Sequence, residues 1–483
     1  MLRQIKCTVP GTNPSGESIE VVSAYDLSTI ASCDLADEAM VEQALITAYA
    51  LYRDRKGWLK LHERIEILER LVQLMREDTD RLAYEAAEEG GKPLVDSQVE
   101  VIRAIDGVKI CIETLRTQSG ETIPMGINTA STDRLAFTSP EPIGVVVAVS
   151  AFNHPLNLIV HQVAPAIATG CPVIVKPAKT TPVSCFNFVE LLRKAGLPEG
   201  WCQMMVIDDN NLTTKLVCDP RVGFFSFIGS PRVGWMLRSK LAPGTRCALE
   251  HGGAASVIVA EDADMTNALP KLVKGGFYHA GQVCVSVQRI FAHESIARQL
   301  ADNIATHAKA LIVGDPLQIS TEVGPLINTK EVERVSQWVE QAKDDGAMLL
   351  AGGNVVSSTG RAPTCYAPTV IYDPSDNIQV SQSEIFGPVI CIYPYSDIDN
   401  AIERANQLPY AFQASIFTKD IDRATYCYHH LDASAVMVND HTAFRVDWMP
   451  FAGLRQSGLG VGGIPYTMHD MQSQKMMVIS TTV

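Results

Sequence analysis

"PIGVVVAVSAFNHPLNL", residues 142–158, carries the decisive pattern of this chain: Val145 to Val149 offer no polar face, and the run then breaks at Asn153-His154-Pro155. A strand apolar on both faces suits a parallel sheet covered on each side, whereas a half-exposed antiparallel strand would alternate. At about half of the roughly 20 residues a membrane helix needs, the run is too short to span a bilayer. Beyond the break, "HQVAPAIATG" (161–170) reads as a helix and "PVIVKPA" (172–178) as a strand. "SCFNFVELLRKAG" (184–196) is a helix closed by Gly196, and "QMMVI" (203–207), a short helix and "VGFFSFIG" (222–229) continue the alternation. This order predicts an α/β, doubly wound sheet. Upstream, 61–89 and 97–118 carry helical periodicity, the first stopped by "GGKP", and a second alternating region runs from about 255 to 430. There is no internal repeat and no low-complexity linker.

At 483 residues the chain exceeds what one core usually serves, so two or three domains are expected. A composition of 46% hydrophobic and 19% charged residues is that of a globular protein. The net charge of −14, with no long basic run, argues against nucleic acid or an anionic membrane as partner. Residues 1–18 lack the apolar core of a signal peptide, and a cytoplasmic location is expected. The twelve cysteines are scattered without a CxxC pair, so neither a metal site nor a disulfide framework is expected. Most suit the role of small buried hydrophobes. Cys284, in "GGFYHAGQVCVSVQRI" (275–290), follows a Gly-Gln pair and raises the question of a nucleophile.

Ligands of a doubly wound sheet collect at the carboxyl ends of its strands. "FSFIGSPRVGWML" (225–237) places Gly229 and Ser230 where a strand turns into a helix. Free backbone N–H groups there would hold a pyrophosphate. The motif alone is weak, and Ser230 as a helix N-cap is the commoner explanation. Lys176 and Lys179, in "IVKPAKTTP", end another strand and suit a ribose or phosphate contact about as well as solvated surface.

Seven pieces in order, "PIGVVVAVSAFNHPLNL", "GCPVIVKPA", "FSFIGSPRVG", "ALEHGG", "GQVC", "EIFGPV" and "MPFAGLRQSGLG", give the chain its resemblance to the aldehyde dehydrogenase superfamily from roughly residue 20 onward. The resemblance implies a Rossmann-like cofactor domain (1–118 and 141–250) and a catalytic domain (251–440). It also implies a substrate-lining segment (441–464) and a small β oligomerisation arm (119–140 and 465–483), hence a homodimer or homotetramer.

Hydride transfer from an aldehyde first needs a tetrahedral adduct, which a thiolate supplies. By its "GQVC" match Cys284 is the family's nucleophile. The carboxamide of Asn153 and the backbone N–H of Cys284 would hold the oxyanion. Glu250 in "ALEHGG" matches the base that activates water against the thioester. Relatives that pass the acyl group to coenzyme A typically lack this base, so release of a free acid is expected. Glu384 and Phe386 of "EIFGP" match residues that hold the nicotinamide ribose and pack near the nicotinamide.

Two departures carry information. Lys179 stands where the family often has a glutamate that repels a 2′-phosphate, so NADP use is expected alongside NAD. Arg445, Arg103 and His161 occupy tunnel positions that are apolar in many relatives. Their convergence implies a small aldehyde bearing a carboxylate, phosphate, phosphonate or sulfonate, because a guanidinium can donate two hydrogen bonds to one anion. "NDHTAFRVDWMPFAG" (439–453) also resembles lactaldehyde and other small-polar-aldehyde branches, which leaves a neutral aldehyde as the alternative. Outside dehydrogenases, the alternatives are a cysteine hydrolase pairing Cys284 with His279 or His251, and an idle binding relative.

Overall fold

β1 (Val145–Val149) divides its valines between two cores. Val146 and Ala148 pack into one apolar cluster, while Val145, Val147 and Val149 pack into another on the opposite face. That double burial is why no position of the run is polar. The computed structural model describes residues 2–356 and 362–481. In it, β1 sits inside a six-stranded sheet with β2 (Val173–Lys176), β3 (Cys202–Met204), β4 (Val222–Ile228) and β5 (Arg246–Glu250). The spatial order is β5, β4, β1, β2, β3, all parallel, with Gly458–Leu459 added antiparallel at the β5 edge. The chain winds outward from β1 in one direction through β2 and β3, and in the other through β4 and β5. The crevice between the carboxyl ends of β1 and β4 is therefore the topological switch point, where such sheets bind ligands.

Helices cover this sheet. α1 (Leu94–Thr117) packs on α2 (Asn157–Thr169), which returns from β1 and ends at Gly170 in the left-handed conformation. The periodic stretch 61–89 forms two helices rather than one, Leu61–Glu77 and Thr79–Gly90. Asp78 divides them, in keeping with the preference of aspartate for helix ends over interiors. Its carboxylate holds the Arg81 guanidinium one turn on.

The second alternating region forms a seven-stranded sheet built from β6 (Ala255–Val259), β7 (Val287–His293), β8 (Met348–Ala351), β9 (Thr369–Tyr372), β10 (Val389–Tyr395), β11 (Gln413–Phe417) and β12 (Ala435–Val438). Its order is β8, β9, β10, β7, β6, β11, β12, antiparallel only at β8. It has its own apolar core. The C-terminal segment forms a helix, Ile464–Asp470, then a strand, Gln472–Ser480, paired antiparallel with Arg134–Pro142. Residues 482–483 of the expected arm, and 357–361 of the expected catalytic domain, lie outside the described residues. Among the described residues no helix is long and apolar enough to cross a membrane.

Candidate active site

A cavity of about 550 Å³ opens at the switch point and reaches Cys284. Its walls come from the segment after β1 (149–154), from Gly229 and Ser230 after β4, from Glu250 to Gly252 after β5, and from the Cys284 loop. Arg103, Glu384, Phe386 and Arg445 close it.

The Cys284 loop is set by backbone geometry. After α3 (Pro231–Arg238), α4 (Met265–Phe277) runs into a left-handed turn in which His279 and Ala280 have φ of 49° and 53°. Such backbone costs roughly 1–3 kcal/mol per residue and persists only where surroundings over-determine it. Gly281 follows at φ 69°, and a Cβ there would meet the Gly387 carbonyl oxygen at 2.0 Å. Buried Gln282 braces the turn: its Nε2 donates to the carbonyls of His279 (3.3 Å) and Pro325 (3.1 Å), and its Oε1 accepts from the Ile327 N–H (3.0 Å). The Gly and Gln of "GQVC" are thus scaffold for the thiol.

Cys284 reaches the cavity, and burial pushes its thiol up to about 12. The Arg445 guanidinium is the foremost influence in the opposite direction. Asn153 Nδ2 donates to the Gln282 carbonyl at 2.9 Å, which fastens its carboxamide beside the loop and leaves its second N–H for a ligand. The Cys284 backbone N–H has no protein acceptor among the described residues. Glu250 ends β5; burial raises its carboxyl pKa, and Arg445 opposes the shift. A carboxyl moved toward neutrality is suited to general base work.

At the switch-point end the geometry corrects the reading of Gly229 and bears out the N-cap position of Ser230. The Gly229 N–H is not free for a pyrophosphate, since it donates to the Glu250 carbonyl at 3.0 Å and ties β4 to β5. Ser230 does sit at the N-cap of α3, where its carbonyl accepts from Val233 and Gly234, but its side chain makes no capping hydrogen bond and the residue lines the cavity. Lys176, at the end of β2, is lowered to about 8 by burial and then by neighbouring Lys179. Lys179 is exposed and paired with Asp208 at 2.5 Å. Neither lysine lines the cavity, although Ala178 between them does.

Glu384 Oε1 accepts from the Gly253 N–H at 3.2 Å, and burial pushes its carboxyl up to about 8. A Cβ on Gly252 would meet that carboxylate at 1.9 Å, so any side chain there would displace Glu384 from its place beside Gly253. Phe386, itself at φ 47°, meets Phe152 edge-on at 5.9 Å. A continuous cavity from the β4–α3 junction to a buried carboxylate and on to a thiol fits a nicotinamide dinucleotide.

The far end holds the three cation-capable residues, organised by one the sequence reasoning missed. Asp447 Oδ1 accepts from Arg103 Nη2 (2.7 Å), and Oδ2 from Arg103 Nε (3.1 Å). His161 Nε2 lies 2.8 Å from Asp447 Oδ1, and its Nδ1 lies 3.4 Å from Arg445 Nη2. Arg445 in turn stacks over the Phe451 ring at 3.6 Å. Arg103 and Arg445 line the cavity; His161 is buried behind them and does not. Against the effect of burial, His161 and Arg103 hold the Asp447 carboxyl far below the usual range. Burial, with both arginines, lowers the His161 pKa against the pull of Asp447. The available signal was an acid two residues past an arginine in "RVD", which reads equally well as solvated loop.

Among the described residues no histidine is hydrogen-bonded to Cys284. His251 Nδ1 lies 2.9 Å from the Gly229 carbonyl, and His279 is buried with neither ring nitrogen partnered among the described residues. The hydrolase arrangement is therefore not formed.

Residues 12–477 match the aldehyde dehydrogenase family. The 3-sulfolactaldehyde dehydrogenase of Priestia aryabhattai is 34% identical over 466 residues, covering 96% of each chain. The lactaldehyde dehydrogenase of Methanocaldococcus jannaschii is 35% identical over 468 residues, covering 96% of this chain and 98% of that one. Among solved structures, the glyceraldehyde-3-phosphate dehydrogenase of the same organism, complexed with NADP, superposes with a TM-score of 0.91 at 34% identity, over 97% of this chain and 100% of the other.

Proposed function

The chain belongs to the aldehyde dehydrogenase family and is an NAD(P)-dependent oxidoreductase, and from that premise we propose that it oxidises a small anionic aldehyde to the free acid, with NADP as well as NAD accepted. The observation that carries the substrate reading is Arg445. Its guanidinium faces the cavity with Cys284 and Glu250, and its Nε has no hydrogen-bond partner among the described residues. A guanidinium cannot shed its charge, so an anionic ligand is its natural complement.

In this reading the Cys284 thiolate adds to the aldehyde carbon while Asn153 Nδ2 and the Cys284 N–H hold the oxyanion. Ser230, Lys176, Glu384 and Phe386 would hold the nicotinamide cofactor, which would supply the hydride acceptor, and Lys179 would lend positive charge for a 2′-phosphate. Glu250 then takes a proton from the water that attacks the thioester, and the acid leaves. Arg445 and Arg103 bind the anionic end of the substrate and keep it away from Cys284.

The same reading assigns 1–118 and 141–250 to cofactor binding, 251–440 to catalysis, 441–464 to the substrate wall and 119–140 with 465–483 to the arm. Exposed Met476, Met477, Val478 and Ile479 on Gln472–Ser480 support burial of the arm against further copies of the chain, as a homodimer or homotetramer. Twelve free thiols support a reducing, cytoplasmic address.

The test is kcat/KM for three-carbon 2-hydroxyaldehydes that differ at carbon 3, with both cofactors. A preference of tenfold or more for an anionic over a neutral substituent is expected. Equal values for the two would favour the neutral-aldehyde reading, for which the lactaldehyde dehydrogenase likeness speaks.

A further inference from the structure

We infer that Asp447 and His161 are positioning residues that aim Arg445 and trim the substrate end of the cavity to one net positive charge, so that it selects a singly charged head group, a sulfonate or carboxylate, over a phosphate dianion. The inference rests on the anionic-aldehyde reading and deepens it.

Three separate elements build the cluster. α1 brings Arg103, α2 brings His161, and the loop before Phe451 brings both Arg445 and Asp447. The Asp447 carboxylate takes two bonds from Arg103 and lies against His161 Nε2, so the charge of Arg103 is already answered. A neutral imidazole carries a single N–H, and a guanidinium can only donate. The arrangement is satisfied in one way: Nε2–H donates to Asp447, and Nδ1 accepts from Arg445. Asp447 thereby fixes the tautomer, and the tautomer fixes one edge of Arg445 while Phe451 fixes its face. Three cation-capable residues and one carboxylate then leave a single charge unanswered within the cluster, that of Arg445, whose foremost anionic neighbour is the Glu250 carboxyl of the same cavity. A monoanion balances it. A dianion would bring a second charge into a cavity that also contains Glu250, where Arg103 can still donate but has its charge already answered by Asp447.

Asp447→Asn and His161→Leu, with His161→Gln as the conservative variant, test this. The substrates are the three-carbon 2-hydroxyaldehydes with a sulfonate, a phosphate ester or a neutral hydroxyl at carbon 3, assayed at pH 8, where the phosphate is doubly charged. Wild type is expected to prefer the sulfonate to the phosphate at least tenfold in kcat/KM. Asp447→Asn adds one net charge, so this ratio should fall by tenfold or more. His161→Leu should lower the sulfonate-over-neutral ratio at least tenfold, chiefly through KM. His161→Gln, whose amide can both donate and accept, should return it to within about threefold. Retained NADP binding shows that each variant is folded; should Asp447→Asn not fold, the two His161 variants carry the test. If wild type does not distinguish anionic from neutral aldehydes, the anionic reading fails. If wild type prefers anions but Asp447→Asn scales sulfonate and phosphate alike, or His161→Gln behaves as Leu, the positioning inference is overturned and the anionic reading stands.

Discussion

The two ends of the cavity are built in opposite ways. Around Cys284 the polar groups are held but left incompletely used: the Cys284 N–H is unpaired among the described residues, and Asn153 spends one amide hydrogen on Gln282. Strained backbone at His279, Ala280 and Phe386 keeps them in place. Around Arg445 the polar groups are tied to one another, Arg103 to Asp447, Asp447 to His161, His161 to Arg445. Open donors at one end suit a charge that appears only during reaction, whereas a mutually braced network that leaves the Arg445 Nε free among the described residues suits a charge present from the start. On the proposed function, preorganisation serves chemistry in the first case and selection in the second.

The sharpest break of that contrast is Cys284→Ala, which should abolish dehydrogenase turnover while the chain still folds and binds cofactor; near-normal turnover would remove the catalytic end from the account. Glu250→Gln should come next, with a burst of NAD(P)H followed by turnover slowed roughly 100-fold or more. A missing burst would mean that Glu250 acts before hydride transfer.

Arg445→Leu probes the point where the two ends touch. Loss of a charge-assisted hydrogen bond, roughly 1.5–3 kcal/mol, should lower kcat/KM for the anionic aldehyde by about one to two orders of magnitude. The neutral aldehyde should lose less, but it should lose. Burial raises the Cys284 thiol and Arg445 opposes it; because the thiolate is the reactive form, activity should rise with pH, and the rise should move to higher pH in the variant. An unmoved pH profile would confine Arg445 to the substrate. Arg103→Leu sharpens the comparison further, since it frees Asp447 and should damage anion selectivity through His161 as well as directly.

The smallest effect belongs to Lys179→Glu. Lys179 is 57% exposed and shared with Asp208, so the ratio of NADP to NAD affinity should fall only severalfold. An unchanged ratio would take Lys179 out of cofactor choice.

What the sequence made legible follows the same division. The double burial of β1 is written in "VVVAV", and the catalytic groups sit in short motifs whose order could be read. The convergence of Arg103, His161 and Arg445 could also be read, because each has a fixed offset from a motif. Asp447 could not: nothing local separates a buried acid on a loop from a solvated one, and its partners lie 286 and 344 residues away. Likewise, the loss of the Gly229 N–H to Glu250 depends on β4 pairing with β5, a register no local pattern reports.

The most direct test of the catalytic account is to trap its intermediate. Glu250→Gln, mixed with the anionic aldehyde and NADP⁺ and quenched in acid, is digested and read by mass spectrometry. The expected result is a substrate acyl group on the peptide containing Cys284, at the oxidation level of a thioester, in amounts matching the NADPH burst. NADPH formed with no adduct, or with the adduct on another residue, would contradict it.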